Sequence, residues 1–277
     1  MRISQAIREA ADRLAITSDT ARLDAEVLMA HVLGATRSEL LLRHMADEAP
    51  PSFAALVDRR AAHEPVAYIV GTQDFYGLPF RVTPDVLIPR RDSEVLVERA
   101  CAARPDAREV LDCGTGSGAL LLAVVAHLPE AQGVGIDRSA AALAVAQGNA
   151  EALGLASRAR MVAADWTCPG WDASLEEPFD LILANPPYVE SDALLAPSVG
   201  AFEPAGALFA GPEGLDDYRL LIPQLSRLMG EGGIALIEIG AAQAAAVSAI
   251  ATANGFRTQV HRDLAGRDRV IELSYFP

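Results

Sequence analysis

Residues 109–128 read EVLDCGTGSGALLLAVVAHL: a short, mostly apolar run, three glycines at alternate positions, then an apolar stretch with no acid or strong base in it. The first part fits a buried strand and the last a buried helix, so the stretch predicts strand, tight glycine loop and helix in that order. Glycines at 114, 116 and 118 permit positive φ and let a ligand lie against bare backbone, while the helix start presents free N–H groups to it. Such a unit belongs to a parallel sheet with helices on its faces.

The C-terminal side repeats the alternation. GVGID (133–137), ARMVAAD (159–165), FDLILAN (179–185) and GIALIEIG (233–240) are short apolar runs separated by helical stretches, which predicts a doubly wound α/β domain. Two closing runs, FRTQVHR (256–262) and RVIELSYF (269–276), leave no room for a crossover helix and are expected to pair antiparallel at one edge.

On the N-terminal side, apolar residues recur at helical spacing from Ser4 to about Glu64, as at Leu23, Val27, Leu28 and Val32. About four short helices are expected, with Thr20 and Ser52 as N-caps and Gly34 as a stop. Between the two regions, YIVGTQDFYGLPFRVTPDVLIPR (68–90) carries aromatics, Gly77 and three prolines, and predicts a hairpin flanked by extended chain. The expected division is a helical bundle over 1–67, a hairpin linker over 68–91 and a catalytic domain over 92–277.

Lys and Arg number 23 against 37 Asp and Glu, a formal charge of -14, which opposes the footprint of a nucleic-acid binder and favours a protein or small-molecule substrate. Cys101, Cys113 and Cys168 form no CxxC pair and read as small buried hydrophobes in a reducing compartment. The histidines show no metal-ligand spacing, so no metal is expected. MRISQAIREAADRL lacks the apolar centre of a secretory signal, and the longest apolar run, 119–128, is too short to span a bilayer. A soluble, cytoplasmic protein without a membrane partner is the expectation.

The loop admits two cofactor classes. Gly114, Gly116 and Ala119 fit the dinucleotide fingerprint, and Asp137 ends the next strand about 20 residues on, where a ribose-binding acid belongs. Asp112 favours S-adenosylmethionine: an acid at the strand tip accepts from a ligand ammonium but repels a pyrophosphate. On that reading Gly114, Thr115, Gly116, Ser117 and Gly118 cradle the cofactor, Asp165 accepts from the adenine amine and Trp166 lines the ring.

Asn185-Pro186-Pro187-Tyr188 follows the strand FDLILA. Two prolines fix φ and contribute no N–H, so the loop is stiff and rich in acceptors. An amide or aryl-amine nitrogen has a delocalised lone pair and weakly acidic protons, so a general base is the wrong tool. Two fixed acceptors suit it better: the Asn185 side-chain oxygen and the Pro186 carbonyl each take one N–H, and both bonds strengthen as the nitrogen becomes positive. Tyr188 can lie against the planar group, and Asn185 also neighbours the cofactor. Methyl transfer to a planar nitrogen is the reaction these residues suggest.

The sequence resembles the N5-glutamine methyltransferases of peptide-chain release factors, the HemK/PrmC-type protein methyltransferases. The matching segments are FYGLPFRVTPDVLIPRRDSE (75–94), LDCGTGSG (111–118), DLILANPPYV (181–189), EPAGALFAGPEGLDDY (203–218), GGIALIEIG (232–240) and DLAGRDRV (263–270). The resemblance implies a class I S-adenosylmethionine-dependent methyltransferase fold: a mostly parallel seven-stranded sheet with an antiparallel edge strand, plus a small N-terminal helical domain that recognises substrate. It implies Gly114–Gly118, Asp137 and Trp166 around the cofactor, Asn185 to Tyr188 holding a glutamine amide, and release factors as partners. Arg91 and Ser93 stand where the family usually has Pro and Thr, and Cys113 where it has Leu. Other readings are a glutamine methyltransferase acting on a ribosomal protein, an adenine-N6 nucleic-acid methyltransferase, and a catalytically silent docking module.

Overall fold

A computed structural model of the chain describes residues 1–175 and 178–275, and the chain divides into two compact units: Met1–Thr72 with Leu195–Phe202, and the rest.

The first unit is helical. It contains α1 (Ile3–Leu14), α2 (Ala21–Leu33), α3 (Arg37–Glu39) running into a π-helical turn Leu40–His44, α4 (Phe53–Ala61), α5 (Val66–Val70) and, from the later segment, one turn, α9 (Pro197–Gly200). Ile3, Ile7 and Leu14 of α1 meet Leu28 and Met29 of α2 and Phe53 and Val57 of α4 in one apolar cluster. Gly34 ends α2 at φ 62°, a left-handed stop that glycine adopts without strain. Thr20 and Ser52 occupy N-cap positions but cap nothing; the Thr20 hydroxyl donates to Asp24 Oδ1 at 2.8 Å instead. The side-chain cap forms at Thr36, whose hydroxyl accepts from the Glu39 N–H while the Glu39 carboxylate accepts from the Thr36 N–H. Asp24 and Glu26 are buried on α2 because each has a cation: Arg60 at 2.7 Å from Asp24, Arg22 and Arg37 at 2.6 and 2.7 Å from Glu26.

The second unit begins at Gln73, within the hairpin of β1 (Thr72–Phe75) and β2 (Leu78–Arg81), which turns on Tyr76 and Gly77, both at positive φ, the geometry that matches strand twist. There follow α6 (Glu94–Ala103), β3 (Glu109–Cys113), α7 (Ala119–His127), β4 (Gln132–Asp137), α8 (Ala140–Ala152), β5 (Ala159–Ala163), β6 (Phe179–Ala184), α10 (Asp216–Leu225), β7 (Met229–Glu238), α11 (Ala244–Ala253), β8 (Phe256–Arg262) and β9 (Asp268–Tyr275). The seven-stranded sheet runs β5-β4-β3-β6-β7-β9-β8, with the first five strands parallel.

The antiparallel strand is β9, and it lies one position in from the edge, which β8 occupies. Composition explains the order. β9 buries Val270, Ile271 and Leu273, whereas β8 exposes Arg257, Gln259 and Arg262, side chains that discourage further strand pairing. Phe276, the last residue of the run expected there, lies outside the described residues.

Strand periodicity sorts the core onto two faces. Val110, Leu181 and Leu236 pack with Leu121, Leu122 and Val125 of α7 on one side; Leu111, Ile182 and Ile237 pack with Leu221 and Ile222 of α10 and Val247 of α11 on the other. Gly133 lets α7 settle on β4, since a Cβ there would come within 2.7 Å of Leu121 Cδ1. Strand β3 sits between β4 and β6, so connections leave it in opposite directions and a crevice opens at the carboxyl ends of the three. Among the described residues no helix is long and apolar enough to cross a membrane.

Candidate active site

The glycine loop leaves β3 at Cys113 and enters α7 at Ala119, with Gly114, Gly116 and Gly118 at φ 79°, 54° and 81°. Their surroundings differ. A Cβ on Gly114 would come within 3.0 Å of the Trp166 ring, and one on Gly118 within 3.0 Å of Leu122, so Gly118 serves helix packing. A Cβ on Gly116 would meet nothing within 4 Å; that glycine borders open cleft. Asp137 at the tip of β4 accepts from the Gly116 N–H at 3.0 Å and the Ser139 N–H at 2.8 Å, tying the loop to the start of α8.

Asp112 is placed differently from the expectation. Its side chain is fully buried, accepts from the Thr115 hydroxyl at 2.7 Å and does not line the cleft, so it braces the loop from beneath instead of meeting a ligand ammonium. Burial, helped by the nearby Asp137 carboxylate, pushes its pKa up to about 7, and its Oδ1 has no hydrogen-bond partner among the described residues. Gly135 makes room for this brace: a Cβ there would stand 2.8 Å from Thr115 Oγ1.

Thr115, Gly116, Ser117, Asp137, Asp165 and Trp166 do line one cleft, together with Gly114 and Asn185. Asp165 Oδ1 accepts from the N–H and hydroxyl of Thr167, at 2.9 and 2.7 Å, which holds the turn after β5. Asn185 follows β6, lines the cleft and makes no side-chain hydrogen bond to any described residue, so its amide is free for a ligand. Pro187 also lines it, while Pro186 is buried and Tyr188 turns inward, its O–H pointing to Glu238 Oε1 at 3.5 Å. Burial and the Glu238 carboxylate push the Tyr188 phenol well up; burial pushes Glu238 up to about 7.

The sequence assigns no role to several residues here, although Val86 to Arg90, Glu203 and Asp217 lie in the matching segments 75–94 and 203–218. Val86 to Arg90 form a second wall, held by Glu203, which is buried and accepts from the Ile88 N–H at 3.1 Å and from the Arg90 guanidinium. Asp217, on the first turn of α10, also lines the cleft. Gln243 donates to the carbonyls of Tyr188 and Gly214 at 3.0 and 3.1 Å and accepts from the Gly240 N–H. Cys168, read as a small buried hydrophobe, is exposed.

The donor set discriminates between cofactors. Asp85, Asp137, Asp165 and Asp217 line the cleft against two cations, and of these Arg90 is already paired with Glu203. A pyrophosphate meets net repulsion there, whereas ribose hydroxyls, an amine and a sulfonium meet acceptors. S-Adenosylmethionine fits these residues.

Residues 5–71 match the PrmC N-terminal domain and residues 91–207 the methyltransferase small domain. The release factor glutamine methyltransferase of Cereibacter sphaeroides is 44% identical over 98% of this chain and 98% of that protein. The protein of the same name from Moorella thermoacetica is 44% identical over 97% of each. The ribosomal protein L11 methylase of Lactobacillus delbrueckii subsp. bulgaricus, 23% identical, superposes over 72% of this chain and 86% of that one with a TM-score of 0.50, a likeness of fold alone. With near-complete matches at this identity, the chain belongs to the release factor glutamine methyltransferase family.

Proposed function

We infer that this chain transfers a methyl group from S-adenosylmethionine to the side-chain amide nitrogen of the glutamine in the GGQ motif of peptide-chain release factors. Family membership carries the reading, and the free Asn185 amide at the tip of β6 supports it. When bound, the cofactor supplies an electrophilic methyl on sulfur. Gly116, Asp137, Asp165 and Trp166 hold it. The Asn185 side-chain oxygen and the Pro186 carbonyl accept the two N–H bonds of the glutamine amide and aim its nitrogen. As the N–C bond formed and the methyl–sulfur bond broke, its electron pair staying on sulfur, the nitrogen would become positive, both acceptors would bind it more tightly, and one proton would then leave to water. Tyr188, expected to lie against the planar amide, turns inward to Glu238 and supports the loop from behind. We assign the helical residues 1–67 to recognition of the release factor, 68–91 to the linker and 92–277 to catalysis.

Mass spectrometry of the GGQ peptide after co-incubation with a release factor tests this: one added methyl is expected, and its loss with Asn185→Ala. An unmodified glutamine overturns the reading. A ribosomal-protein glutamine and an adenine-containing oligonucleotide, run in parallel, expose either alternative substrate.

A further inference from the structure

Trp166 stands in the irregular chain after β5, where no strand ladder fixes it, yet its ring is held against the bare backbone of Gly114. Helix α10 supplies the hold at two points. Asp217 Oδ1 accepts from the indole Nε1–H at 3.1 Å, and Gln224, two turns further along, donates from Nε2 to the Trp166 carbonyl at 3.0 Å. The other Asp217 oxygen has no hydrogen bond to any described residue, and Asp217 lines the cleft beside the indole. Gln224 in turn accepts from Trp171 Nε1 at 2.7 Å, so its amide is fixed from a second side.

We propose that Asp217 is a positioning residue of the cofactor site: through the Trp166 indole N–H it sets the plane of the ring against which the cofactor's purine rests. An indole in a turn is otherwise able to rotate about its side-chain bonds, and ordering it at the moment of binding costs affinity. A ring already clamped avoids that cost. Burial raises the Asp217 pKa, but either protonation state leaves an oxygen to accept from the indole. The inference rests on the reading of the cleft as an S-adenosylmethionine site.

The test is calorimetric titration of the full chain with S-adenosylhomocysteine, which needs no turnover. Asp217→Ala is expected to weaken binding about tenfold, the size of one lost charge-assisted hydrogen bond. Asp217→Asn, which keeps an acceptor, should restore affinity to within about twofold, a factor smaller than a neutral hydrogen bond contributes. In a Trp166→Phe background, which retains a ring but lacks the N–H, Asp217→Ala should weaken binding no further. In steady state the KM for S-adenosylmethionine should rise in Asp217→Ala while that for the release factor does not. Normal wild-type binding with an unchanged Asp217→Ala affinity overturns the inference alone, as does an equal loss in the Trp166→Phe background. A wild-type chain that binds no S-adenosylhomocysteine overturns the reading of the cleft and the inference with it.

Discussion

The side-chain amide of Gln243 donates to the main-chain carbonyl of Tyr188 at 3.0 Å, and the same nitrogen reaches the Gly214 carbonyl at 3.1 Å. The contact closes on bare backbone, since a Cβ on Gly214 would lie 2.2 Å from the Tyr188 oxygen. The loop that carries Asn185 is therefore anchored from α11's start, far from it in sequence.

Gln243→Ala removes that anchor and leaves the Tyr188 and Gly214 carbonyls short of a donor. A loss of about 1–3 kcal/mol in positioning is expected, a fall in kcat of roughly 10- to 100-fold. S-Adenosylhomocysteine affinity, measured by calorimetry, should change little by comparison. An equal loss in both quantities would show that the anchor serves the whole cleft.

Gly116→Ala places a methyl in the open cleft at a backbone φ of 54°. The strain costs about 1–2 kcal/mol, and the methyl occupies ligand space. Thermal melting should fall by a few degrees and cofactor affinity by more than the strain alone accounts for. Unchanged affinity would place the cofactor elsewhere.

Asp112 carries a proton in the folded state up to about pH 7, while in the unfolded chain it ionises near its ordinary value of 3.8. Folding therefore binds a proton between those limits, and stability falls as pH rises through the window. Asp112→Asn removes this residue's share of the dependence, leaving that of the buried Glu238, with the amide oxygen still able to accept from Thr115. Melting temperature should rise relative to the parent most strongly above pH 7 and least near pH 4. A difference independent of pH would contradict the burial of an ionisable group there.

Glu203→Ala frees the Val86–Arg90 wall, leaving the Ile88 N–H and the Arg90 guanidinium unpartnered. Because Arg90 is partly exposed, the cost in urea unfolding should be about 2 kcal/mol, below the range for a fully buried pair. Weaker cofactor binding should accompany it.

Local chemistry made much of this legible beforehand. The alternating glycines at 114, 116 and 118 and the alternation of short apolar runs announce the glycine loop and the parallel sheet, because turn geometry and side-chain period are written over a few residues. The Asn185 loop was readable for the same reason: proline constrains its neighbours directly. Asp112 was misplaced because a strand-tip acid points either to the ligand or under the loop, and only the seating of Thr115 beside Gly135 decides between them. Glu203, Asp217 and Gln243 act on Ile88, Trp166 and Tyr188, which are 115, 51 and 55 residues away, and no local periodicity announces such contacts. Thr20 does not cap because its hydroxyl goes to Asp24, and Ser52 does not because its backbone is already helical, at φ -65° and ψ -19°.

The bonds from Ile88 and Arg90 to Glu203 span 115 and 113 residues, which gives the site a history as well as a shape. On a ribosome adding roughly 5–20 residues per second, the wall segment emerges on the order of ten seconds before its anchor. Closing a loop of that span also costs entropy before the contact returns anything. A nascent chain stalled just short of residue 203 has neither Glu203 to hold the wall nor Gln243 to anchor the Asn185 loop, so its cleft is unfinished on both sides. Hydrogen exchange at the Ile88 amide during refolding would time the closure of that wall.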